Sequence, residues 1–188
     1  MGGIMLIGGK CWPAREVGWE GGHKHIRGRG HSKKKLRGEG ILIAMSTSEE
    51  IRIGQTAIRF LLEGEDSGGS VAVFEFDVPA AARVPAAHSH DGYVETIYGL
   101  EGVLSWTLDG EKTDVGPGEV LCIPRGVVHR FDNDHEVDAK MLAIVSPGIL
   151  SPEYFREMAA VIKAATGGPP DPAALGEVMR RHGLTPAP

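Results

Sequence analysis

HSHDGYVETIYGLEG (residues 88–102) and GEVLCIPRGVVHRFDN (residues 118–133) decide how this chain folds. In an extended strand side chains alternate with period 2, so His88 and His90 turn both imidazoles to one face. Two neighbouring rings on one face are costly to bury without partners, and a metal ion satisfies both. A His-x-His pair on its own is more often two surface histidines. Here Gly92 lies in a turn that can reverse the chain and bring Glu95 back toward the pair.

Outward from these stretches, residues 51–145 read as short β-type runs separated by turn residues. The runs are Ala57–Leu62, Ser70–Val78, Tyr93–Leu100, Val103–Leu108, Lys112–Val115, Glu119–Ile123, Val127–Phe131 and Lys140–Val145. Ser70–Val78 sets Val71, Val73, Glu75 and Asp77 against Ala72, Phe74, Phe76 and Val78. Asp109-Gly110 marks a two-residue hairpin turn that needs positive φ at both positions, and Gly116-Pro117-Gly118 forces another turn. Many short strands with close turns predict an all-β sandwich or barrel. After Pro147 the pattern becomes helical. Tyr154, Phe155, Met158, Val161 and Ile162 recur at helical spacing behind Ser151-Pro152-Glu153, with Ser151 as N-cap. Gly167-Gly168-Pro169-Pro170 ends that helix, and a second is predicted over Pro172–His182 with Leu175, Val178 and Met179 as its apolar face. Both helices are expected to pack against the barrel or a sister subunit, not to carry chemistry.

The 188 residues suffice for one well-buried domain and a tail, and 27 glycines with 12 prolines suit short strands. Three segments are expected: an extension over 1–44, a barrel over 45–148 and a helical arm over 149–188. Residues 1–44 hold nine Lys/Arg against three Asp/Glu, and the remainder eleven against twenty-two, under a net charge of −5. The first segment reads as a disordered extension, or as lying ahead of a true start at Met45, because its basic cluster Lys33-Lys34-Lys35 has little apolar material beside it. The acidic body argues against nucleic acid as partner. No run approaches the roughly 20 apolar residues of a membrane span. Met1–Ile7 has no basic leader, and Cys11 and Cys122 form no disulfide framework, so a cytoplasmic setting is expected. Cys122, in the apolar run Val120–Ile123, reads as a buried thiol.

The two opening stretches together resemble the cupin superfamily. His88 to Gly102 follows the signature Gly-x5-His-x-His-x(3–4)-Glu-x6-Gly, with Ala82 in place of the leading glycine. Gly118 to Asn133 follows Gly-x5-Pro-x-Gly-x2-His-x3-Asn in full, fifteen residues further on. The resemblance implies a double-stranded β-helix, the jelly-roll barrel, with C-terminal helices. It implies one divalent transition metal (iron, manganese, nickel, cobalt or zinc) on His88, His90, Glu95 and His129, with one or two positions open. Pro124 and Gly126 would form the bend that aims His129 inward. Ala82 would shape a turn and ligate nothing, so its departure leaves the ligands intact.

Within that family the chain from about Gln55 onward looks like the quercetinase-like single-domain members, notably over residues 60–69, 97–102, 124–131 and 152–186. This likeness implies an O₂-dependent dioxygenase acting on a flavonol-like or other small enolisable aromatic, with Glu95 both ligand and proton acceptor. Two other readings stay open: a ligand-binding or regulatory module without turnover, and a sugar isomerase or epimerase, which would want a charged or polar pocket. Phe74, Phe76, Tyr93, Trp106 and Phe131, together with Tyr98, are pocket candidates among residues whose default is core packing. Arg125 is a candidate for the pocket mouth, although a solvated turn accounts for it, and His135 and His182 read as histidines without a role. A homodimer is expected by analogy, since barrels of this type expose sheet edges.

Overall fold

The computed structural model describes residues 49–83, 86–165 and 168–187, so the expected extension over 1–44 lies outside the described residues. The strands are β1 (Glu50–Ile53), β2 (Thr56–Leu62), β3 (Ala72–Val78), β4 (His88–His90), β5 (Val94–Glu101), β6 (Leu104–Leu108), β7 (Glu111–Val115), β8 (Val120–Ile123), β9 (His129–Asp132) and β10 (Ala139–Ser146). Helices α1 (Pro152–Ala164) and α2 (Pro172–Arg181) follow, and then β11 (Leu184–Pro186). Antiparallel pairing gives one sheet in the order β1-β2-β3-β10-β5-β8 and a second in the order β11-β4-β9-β6-β7. The two form a jelly-roll barrel with C-terminal helices, the all-β architecture expected.

The alternation in β3 explains where the core sits. Ala72, Phe74, Phe76 and Val78 are all buried, while Glu75 and Asp77 on the outer face pair with Arg59 of β2. Phe76 reaches across to the second sheet, its ring 5.1 Å from that of Phe131 on β9 and 6.4 Å from that of Trp106 on β6. Phe155 of α1 packs on Phe60 and Phe74, with ring centroids 5.6 and 5.2 Å away. Each such aromatic contributes roughly 1.5–3 kcal/mol through burial, so this ladder ties both sheets and the first helix into one core.

The turns follow their residues. Asp109 and Gly110 take φ 46 and 89 between β6 and β7, the positive values a type I′ hairpin requires. Gly102 sits at φ 63, and a Cβ there would fall 2.3 Å from the Asp138 carbonyl oxygen, so the closing glycine of the first signature is fixed by a close backbone approach. Asp171 caps α2 by accepting from the Ala173 N–H at 2.9 Å.

Two expectations are corrected. Cys122 is exposed, not buried, because period 2 in β8 turns Ile123 inward and carries Val120 and Cys122 outward. Ser151 stands at the N-cap of α1 but its side chain makes no capping bond. Strands β1 and β11 are additions, and β11 pairs with β4, matching Leu184 with His90 and Pro186 with His88.

Candidate metal centre and cavity

Three strands from the two sheets bring the histidines and Glu95 together. His88 and His90 ride on β4, and His129 on β9 stands opposite His88 in the antiparallel register. Gly126, at φ 79, donates its N–H to the His90 carbonyl at 3.0 Å, so the bend after Pro124 is fastened to β4 one turn before His129. Glu95 comes from β5 of the other sheet, where it pairs with Ile123 and Val145.

The ring nitrogens are sorted by backbone carbonyls. His90 Nδ1 donates to Tyr93 O at 3.0 Å, His129 Nδ1 to Val127 O at 3.0 Å and His88 Nδ1 to Ala86 O at 3.2 Å. A carbonyl only accepts, so each neutral ring carries its proton on Nδ1 and presents the Nε2 lone pair. Ala86 holds φ 58, a conformation uncommon outside glycine, at the residue that orients His88.

Glu95 Oε2 lies 3.4 Å from His90 Nε2 and 3.5 Å from His129 Nε2. One ligand atom from each of His90, Glu95 and His129 falls within 4.8 Å of the others, so these three could hold a metal ion. His88 flanks them, its ring 4.5 Å from that of His129 and 6.3 Å from that of His90. His90 is fully buried and its Nε2 makes no hydrogen bond, because the Glu95 contact misses hydrogen-bond geometry. Two lone pairs facing a carboxylate in a dry interior repel unless a proton or cation lies between them. The donor set therefore fits a divalent ion, and the orphaned His90 nitrogen is the observation that argues for it.

The electrostatics follow. Burial alone would raise the Glu95 carboxyl, but the facing imidazoles of His129 and His90 outweigh it and hold the group at about 2. His88 is lowered to about 4, by burial first and then by the nearby His129. Burial also opposes protonation of His129, yet the Glu95 carboxylate raises it overall.

The cluster opens on a cavity of about 100 Å³. All five pocket candidates, Phe74, Phe76, Tyr93, Trp106 and Phe131, line it beside His88, Glu95 and His129. Tyr93 stacks on His90 with centroids 3.9 Å apart. Tyr98 instead lies on the outer face of β5, 38% exposed, and Arg125 is also exposed. His135 lies 3.7 Å from Asp114, away from the cavity lining. His182 contacts Glu157 at 3.2 Å and sets its ring 5.6 Å from that of Tyr154.

The sequence reading missed the part of the wall supplied from outside the strands of the two signatures. Leu150, Tyr154, Phe155 and Met158 enter from α1 and the segment before it, and Leu184 from β11. Helical spacing of Tyr154, Phe155 and Met158 was the available signal, but a period identifies a buried face without saying what it faces. Asn133, the last residue of the second signature, is wholly buried and structural: its side chain donates to Val78 O at 3.0 Å and Val137 O at 2.8 Å, and accepts from the His135 N–H at 3.0 Å.

Residues 74–145, the span holding all four candidate ligands, match the family model for the cupin domain. The chain carries a cupin domain. Quercetin 2,3-dioxygenase of Bacillus subtilis (strain 168) is 27% identical to this cupin over 110 residues, covering 58% of the chain and 32% of that protein. The cupin thus spans about a third of that relative's length. Among solved structures, an oxalate decarboxylase variant from Bacillus subtilis superposes with a TM-score of 0.50 at 19% identity, over 57% of this chain and 29% of that one. The polyketide cyclase RemF from Streptomyces resistomycificus gives 0.47 at 25% identity, over 61% and 92%. These two likenesses concern the fold alone.

Proposed function

We propose that this cupin holds one divalent transition metal with His88, His90, Glu95 and His129, and works as a dioxygenase on a small enolisable aromatic. The observation that carries the reading is the cavity: a cluster of ligand side chains at an otherwise apolar, aromatic wall. A sugar isomerase would want charged groups for a phosphate or polyol, and beyond the cluster the wall's polar side chains are Thr56, Tyr93, Tyr154 and the indole of Trp106. The quercetin 2,3-dioxygenase likeness supports the same choice.

A bound divalent ion would act as a Lewis acid that lowers the pKa of a substrate hydroxyl. Glu95, ionised and within 3.5 Å of His90 and His129, is the carboxylate that accepts the proton. The wall of Phe74, Phe76, Trp106 and Phe131 keeps water from an electron-rich ring. At about 100 Å³ the cavity is smaller than the roughly 300–1,000 Å³ of sites for drug-sized ligands, which favours a compact substrate. A second reading, a module that holds ion and ligand without turnover, is favoured by the depressed Glu95 carboxyl, since a group at about 2 is a weak base at neutral pH.

We take the protein to act in the cytoplasm, where the exposed Cys122 thiol stays reduced, and as a homodimer. Anaerobic titration tests the reading with quercetin and with its single-ring analogue 3-hydroxy-4-pyranone. Metal-loaded protein is expected to shift the absorption band of at least one, and metal-free protein of neither. No shift from loaded protein with either compound would sink the proposal. A shift without oxygen uptake on admitting air would leave the binding-module reading in its place.

A further inference from the structure

Tyr154 carries a feature that core packing does not explain. The residue is 6% exposed, yet its hydroxyl has no hydrogen-bond partner among the described residues, and it lines the same cavity as Glu95 and His129. The hydroxyl is not wholly sealed, so it stays free to donate to a molecule in the cavity, and a phenylalanine would serve a purely structural position equally well. The ring is braced: Phe155 lies 4.9 Å from it edge-on, and His182, itself held by Glu157 at 3.2 Å, lies 5.6 Å away. Burial, and then the charge of Glu95, push the phenol above its ordinary range, so it stays a donor. A buried, unpaired donor, Trp106 Nε1, sits on the same lining.

Resting on the dioxygenase reading above, we propose that Tyr154 is a ligand-orienting donor: its hydroxyl hydrogen-bonds an oxygen of the bound substrate near Glu95. An oxygen-rich substrate brought beside the Glu95 carboxylate meets repulsion, and a phenol donor offsets it while fixing which oxygen turns toward the histidines. The C-terminal arm thereby supplies a specificity element from outside both histidine-bearing stretches.

The test compares metal-loaded wild type, Tyr154→Phe and, as a control, Tyr98→Phe on the outer face, by anaerobic titration with 3-hydroxy-4-pyranone. Metal content and melting temperature are read alongside. Tyr154→Phe keeps the ring and its neighbours, and is expected to keep its metal while binding about tenfold more weakly. The bound ligand's carbonyl stretch is expected to move to higher frequency in Tyr154→Phe, a change that looser packing alone would not produce. Tyr98→Phe should match wild type in both. Should Tyr154→Phe melt early, Tyr154→Met makes the same deletion with an adaptable side chain. Equal affinity and an unmoved carbonyl band in a folded, metal-loaded Tyr154 variant would overturn the proposal while leaving the dioxygenase reading intact. Wild type that takes up metal but binds neither this compound nor quercetin would overturn both.

Discussion

Asn133 makes three hydrogen bonds with its buried side chain, joining the end of β9 to the end of β3 and to the following loop. Asn133→Ala strands two carbonyls and one N–H, and is expected to cost about 2–4 kcal/mol in urea unfolding. A cost below about 0.5 kcal/mol would mean that water replaces the amide. His88 has a different signature. In metal-free protein its folded value near 4 lies below the ordinary 6.5, so unfolding takes up a proton between those values. Its contribution is fully present above pH 6.5 and is lost as pH falls toward 4, and Glu95 continues the loss from 4.5 down through about 2. Metal-free protein is therefore expected to lose roughly 1–3 kcal/mol between pH 6.5 and 4, with His88→Gln flattening the slope. An unchanged slope in the variant would contradict the burial assigned to this ring. At this scale the sequence was informative wherever a residue sits in a spaced motif: His90, Glu95 and His129 come within reach of one ion, with the His88 ring beside His129. Tyr154 belongs to no motif, and an unpaired hydroxyl becomes visible only when the space around it is known.

Elements were legible in proportion to their length. The eight-residue β10 and the seven-residue β3 carry enough alternation to be read directly, and α1 and α2 announce themselves by spacing and by prolines in the first turn. The three-residue β11 does not, because three residues cannot establish a period. Yet β11 lies against β4, the strand that carries two of the histidines, and its Leu184 is 2% exposed on the cavity wall. Leu184→Ala is expected to cost about 2–4 kcal/mol by urea unfolding and to weaken metal retention, since β4 loses its outer support. A variant as stable as wild type would detach the arm from the site. The helical arm, expected to be mere packing, forms part of the cavity wall. Amphipathic spacing alone cannot tell a face that covers a core from one that encloses a cavity.

For the whole molecule, one complete spaced motif and a second that departs only at Ala82 point to a barrel, because they set turns and histidines at fixed places along its strands. Substrate and assembly are less legible: the first depends on wall residues scattered from Ile53 to Leu184, and the second on surfaces. Among the described residues β1 and β8 edge one sheet, and Val120 on β8 is 63% exposed. Pairing between copies would cover such an edge, so sedimentation at micromolar concentration is expected to give twice the 20.0 kDa chain mass, and a monomer would contradict the dimer. All of the chemistry hangs on the ion. Elemental analysis of purified wild type beside His129→Ala tests it most directly. About one transition-metal ion per wild-type chain, largely lost in the variant, is the predicted result; wild type that holds no metal even after reconstitution would contradict the account.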